Sequence, residues 1–145
     1  MYNTTLRPHG EYFANNQAVT TGLVGGNVQA NNPMRLAPSQ AGCAITVATP
    51  VAGSLTLPNG ASLTLSVLGA RSREGTPALL GTACLANDSG APLTLGPDCP
   101  LCEFIPGRVL AERPWVSVKI QATSALAGSV DIFPAIVAQP HQAGR

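Results

Sequence analysis

The sequence predicts an all-β domain: an antiparallel β-sandwich of jelly-roll-like winding with an extended N-terminal arm. Three observations point there. Thirteen prolines and fifteen glycines are spread almost evenly along the chain, leaving few windows long enough for a helix. β-Branched and apolar residues alternate with small polar ones. Turn residues cut this pattern into roughly six to nine short strands, the punctuation of a sandwich or jelly roll. A chain of 145 residues is one domain with room for its own core. The expected organisation is a single β domain over residues 1–145, with a leader or arm at 1–16 and a tail at 139–145.

Taken in order, "CAITVATP" alternates from Cys43 to Thr49 and stops at Pro50. In "GSLTLPNGASLTLSVLG", Leu55 and Leu57 share one face, and Leu63, Leu65 and Val67 resume the alternation after "PNG". Asn-Gly supplies the left-handed torsions of a tight turn, so this segment reads as a hairpin. Residues 71–113 are more irregular, with most of the acidic residues and three of the four cysteines, and read as short strands joined by long loops. "RVLAERPW" is compatible with one helical turn before Pro114. In "WVSVKIQAT", Val116, Val118, Ile120 and Ala122 face one way and Ser117, Lys119, Gln121 and Thr123 the other; the pattern returns at Val130 and Ile132. Ile45, Val47, Leu55, Leu57, Leu63, Leu65, Val67, Val118, Ile120, Val130 and Ile132 are the expected core.

Charge is the unusual quantity. Charged residues make up 10 % of the chain, against about a quarter in ordinary globular proteins. Between positions 12 and 70 the only one is Arg35. A net charge of +1 and a single lysine, Lys119, leave no basic stripe for nucleic acid. The uncharged runs are broken too often by Pro, Gly and Asn to form a membrane-spanning helix. The first residues lack the apolar core of a signal peptide, so synthesis in a cytoplasm is the expectation.

The residue inventory is poor in catalytic groups. His9 and His141 lie near the ends of the sequence, where a rigid triad is hardest to build. The seven carboxylates form no close-spaced motif, and "GLVGG" lacks the Lys-Ser/Thr of a phosphate-binding loop. No enzyme, cofactor or small-molecule substrate is expected. The cysteines leave three readings open. "DCPLCEF" spaces Cys99 and Cys102 as C-x-x-C; with Cys43 and Cys84 these are free thiols, the four ligands of a structural zinc, or partners in disulfides.

The segment "NNQAVTTGLVGGNVQ" resembles the start of tailed-phage capsid cement proteins of the Bordetella-phage type, in Gln17, Ala18, Val19, Thr20 and Val24; Gly25 stands where that family often has serine. "WVSVKIQATSALAGSVDIFPAIVAQP" is similar to the family's closing hairpin, in Ala127, Gly128, Val130 and residues 135–138. The resemblance implies a jelly-roll-like homodimer on the outer surface of a virion. There it would bridge major capsid subunits of an HK97-type shell and reinforce the head. It carries over no catalytic residue. The uncharged segment 15–32 is then expected to adhere to another subunit through main-chain hydrogen bonds. Capsid contacts are expected at Arg7, Tyr12, Phe13, Gln17, Arg35 and His141. The rival reading is a non-catalytic carbohydrate-binding or adhesin-like sandwich, with Trp115 and Tyr12 as its only plausible sugar platforms.

Overall fold

The computed structural model describes residues 12–28, 32–36, 42–50, 53–96 and 101–136. Two antiparallel sheets face each other across one core. The first holds β1 (Ala14–Ala18), β4 (Cys43–Ala48), β5 (Leu55–Leu57), β8 (Leu93–Leu95), β9 (Leu101–Ile105) and β11 (Ala127–Ile136). The second holds β2 (Val24–Gly25), β3 (Met34–Arg35), β6 (Ser62–Ala70), β7 (Ala78–Ala86) and β10 (Trp115–Ala122). The short helix α1 (Gly107–Glu112) links β9 to β10. Buried Leu110 anchors it, and it ends before Pro114.

The winding is jelly-roll-like. β1 pairs with β11, while β2 and β3 both lie against β10 in the other sheet. The chain crosses between sheets at six of the ten connections that join the described strands. Among the described residues only β6 and β7, joined through residues 71–77, are consecutive full-length strands paired with each other. Two sequence expectations are corrected here. "PNG" makes the anticipated turn, with Ala61 N–H bonded to the Pro58 carbonyl at 3.0 Å and Gly60 at a φ of +84°. Yet β5 leads into the first sheet and β6 into the second, so the turn joins sheets rather than closing a hairpin. The final two strands likewise lie in opposite sheets and form no hairpin.

Every expected core residue is buried. β6, up to Gly69, and β10 alternate, sending Leu63, Leu65 and Val67 and Val116, Val118 and Ile120 inward. Each such side chain is worth about 1.5–3 kcal/mol when fully buried. β4 departs from the expected alternation: Thr46 and Ala48 are buried along with Ile45 and Val47. Its neighbour β11 explains this. Asp131 and Phe133 on the same outer side are buried too, and the Tyr12 ring packs on Phe133 at 5.6 Å between centroids. The first sheet is therefore covered on both faces where β4 and β11 run together. The 71–113 stretch also holds a strand longer than anticipated, the nine residues of β7.

Candidate functional site

The expected contact residues do not form one surface. Arg7 and His141 lie outside the described residues, as do His9, Cys99 and the tail. Phe13 is corrected outright: it has no exposed surface and belongs to the core. Its backbone N–H donates to the Ile132 carbonyl at 2.7 Å, pinning the chain before β1 onto β11. Tyr12 is half-buried against Phe133. Gln17 is also corrected, being 7 % exposed. Its amide donates to the Gly25 carbonyl at 3.0 Å and accepts from Asn27 N–H at 2.8 Å. Arg35 alone of the described set is exposed, on β3.

The uncharged N-terminal segment is thus occupied within its own chain. Asn15 and Asn27 exchange side-chain and backbone bonds at 2.9 and 3.0 Å, and Val28 N–H returns to the Phe13 carbonyl at 3.0 Å. Asn16 holds a left-handed φ of 55° at the irregularity in β1. The Asp131 carboxylate accepts its N–H at 2.7 Å, and the Ser129 hydroxyl donates to its side chain. Amide side chains serve here because each has both donors and acceptors to close a ring of backbone groups. The expectation that residues 15–32 adhere to another subunit by main-chain bonds fails for residues 15–18, which are woven into this sheet; residues 29–31 are outside the described set.

The cysteines are dispersed as well. Cys43 is buried on β4, while Cys84 and Cys102 are exposed on β7 and β9, all three as free thiols. Burial pushes the Cys43 thiol up to about 11, a backbone hydrogen bond from Ala135 offsetting part of the rise. Cys84 and Cys102 sit beside the hydroxyls of Thr64 and Thr46, at 3.7 and 3.5 Å. Among the described residues no cluster of three His, Cys, Asp or Glu can hold a metal ion, so Cys43, Cys84 and Cys102 do not converge as zinc ligands would.

What remains open is the outer face of the second sheet. Ser62, Thr64 and Ser66 on β6 align with Thr123, Gln121 and Lys119 across β10 and its extension, and with Ala86, Cys84 and Thr82 on β7. Lys119 is the only charge in that array. A hollow opens at each end. One, about 350 Å³, is lined by Thr21, Ser62, Thr64, Gln121, Ala122 and Thr123. The other, about 130 Å³, is lined by Trp115, Ser117, Pro33, Ala70, Gly75, Pro77, Arg73 and Glu74. The flanks carry the exposed large apolar side chains. Leu23, Val24 and Val28 lie at the β2 end of the second sheet. Leu79 and Phe104 lie at the opposite end, where β7 and β9 run side by side. Compared with known protein families and with curated proteins, the chain matches none.

Proposed function

We propose that this is a virion structural protein, a capsid cement protein. It binds the outer face of an icosahedral phage head, bridges major capsid subunits and stabilises the shell, acting as a homodimer. The observation that carries the reading is the placement of the exposed apolar side chains at two opposite flanks. Leu79 at 62 % and Phe104 at 46 % exposed mark one, and Leu23 at 53 % and Val28 at 49 % the other. Exposed apolar side chains at both flanks offer surface for another protein to cover, and two flanks on opposite sides suit a bridge. The scarcity of charge supports the same reading, because an uncharged surface is covered without desolvating ions. Contacts that are individually modest add up on a shell with many copies. The head itself enters through the resemblance of residues 17–24 and 127–138 to cement proteins.

The test is co-sedimentation with mature heads stripped of their decoration, counting bound copies per major capsid subunit. The expected result is saturation at a fixed simple ratio that moderate salt does not change, with a raised temperature of head disruption. Leu79→Lys and Leu23→Lys, each loading one flank with charge, should weaken binding and lose the protection. Absence of binding at micromolar protein ends the proposal.

A further inference from the structure

Arg35 is the one charged residue between positions 12 and 70, and Trp115 is the chain's one tryptophan. The ladder sets them directly opposite each other at the start of β10. Both side chains therefore rise from the same outer face, with Cβ atoms about 5 Å apart. On the other side of Trp115 stands Ala70, where the chain leaves β6 for the 71–77 loop. That loop and the approach to β3 wall in the 130 Å³ hollow, with Trp115 and Ser117 supplied by the sheet and Arg73 and Glu74 by the loop.

The lining sorts by chemistry. The indole and Pro77 are apolar surface. The Ser117 hydroxyl both donates and accepts, the Glu74 carboxylate accepts, and the Arg73 guanidinium only donates. Arg35 is not part of the lining, but it stands opposite the indole in the ladder and brings a second guanidinium to the same face, so around the hollow the arginines outnumber the carboxylate. A ligand that satisfies all of these has a flat C–H face for the electron-rich indole. It also has hydroxyls for Glu74 and Ser117, and an anionic group for the arginines. A pyranose ring bearing a carboxylate unites the three. An acidic peptide side chain would use the arginines but bring Glu74 a second carboxylate with no hydroxyl to donate to it. The hollow is smaller than the roughly 300–1,000 Å³ that encloses a drug-sized molecule. It therefore accepts one ring and leaves the remainder of a polymer outside. We propose that this hollow binds a uronic-acid unit of an acidic polysaccharide. The proposal uses the open sheet face and is independent of the flanks on which the shell reading rests.

Because Trp115 is the sole tryptophan, its fluorescence reports on this hollow without interference. The full chain is titrated with trigalacturonate and, in parallel, with maltotriose and with triglutamate. The expected result is a saturable change with trigalacturonate alone, weakening as salt rises. Arg35→Gln and Arg73→Gln should each reduce the apparent affinity about tenfold, the loss of a charge-assisted hydrogen bond. Both arginines are exposed, so unchanged melting temperatures verify that the variants fold. No saturable change with trigalacturonate overturns the site. An equal response to maltotriose or to triglutamate overturns the acidic-sugar assignment, as does an affinity that neither substitution alters.

Discussion

Asn87 offers the sharpest test of how the two sheets are joined. It is 2 % exposed, just beyond β7. Its Nδ2 donates to the Leu57 and Ala91 carbonyls, each at 2.9 Å, and its Oδ1 accepts from the Ser89 N–H at 3.1 Å and the Ser89 hydroxyl at 2.7 Å. Its backbone exchanges bonds with the "PNG" turn: Gly60 N–H to the Asn87 carbonyl at 2.7 Å, and Asn87 N–H to the Ala61 carbonyl at 3.0 Å. Asn87→Ala deletes four side-chain bonds of unequal worth. Ser89 and Ala91 are exposed, so water replaces those partners at about 0.5 kcal/mol each. Leu57 is fully buried, and stranding its carbonyl costs about 1–3 kcal/mol. The total is a loss of about 2–4 kcal/mol, a fall of roughly 5–12 °C in melting temperature for a domain of this size. Asn87→Asp should do at least as much harm at neutral pH, because a carboxylate then faces two carbonyls. Its deficit should shrink in acid, where the protonated carboxyl donates to one of them. Circular dichroism melts of both variants measure this. An alanine variant melting within about 1 °C of wild type refutes the reasoning.

Thiol labelling follows from burial. With its pKa moved from 9.0 to about 11, the Cys43 thiolate at pH 8 is about a hundredfold scarcer than in an unperturbed thiol. Maleimide should modify Cys84 and Cys102 in the native protein and Cys43 only on unfolding; peptide mass mapping that finds Cys43 labelled as fast as Cys84 contradicts this. The same rise stabilises the fold below pH 9 and is lost as pH climbs through about 11, so Cys43→Ala should soften the alkaline loss of stability. A glycine pair separates clash from torsional strain. Gly128, at a φ of +113°, would drive a Cβ into the Ser54 carbonyl, whereas Gly90, at +90°, has nothing within 4 Å of that position. Gly128→Ala should cost more than about 2 kcal/mol in urea denaturation and Gly90→Ala about 1 kcal/mol; equal losses would remove the clash.

Strand identity and core membership were legible because period-2 alternation is local: β6 and β10 state it residue by residue. Partnership was not, because it depends on residues far apart in the chain. Nothing in "LTLPNGASLTL" says that its two halves enter different sheets; their partners are distant strands, and the buried Asn87 that holds the turn lies thirty residues away from Leu57. Phe13 was misplaced because it lies in a charge-poor polar stretch, and only the bond to Ile132 shows that the chain there is already part of a sheet. The double burial of β4 was hidden for a similar reason, since its cover over Phe133 comes from Tyr12. Arg35 and Trp115 each stood out alone. Their adjacency is a matter of register, which no local pattern encodes.

The pairing of β1 with β11 sets a clock on biosynthesis. Asn16 and Asp131 are 115 residues apart, so at about 5–20 residues per second the first strand waits roughly 6–23 s for its partner to be made. A waiting strand rich in Val and Ile would be free to pair with neighbouring nascent chains. "ANNQA" is not: its amides are content in water, and it gains an ordered partner only when β11 arrives. The same lack of charged and large apolar groups that makes this segment look featureless lets it remain unpaired without harm until β11 has been made.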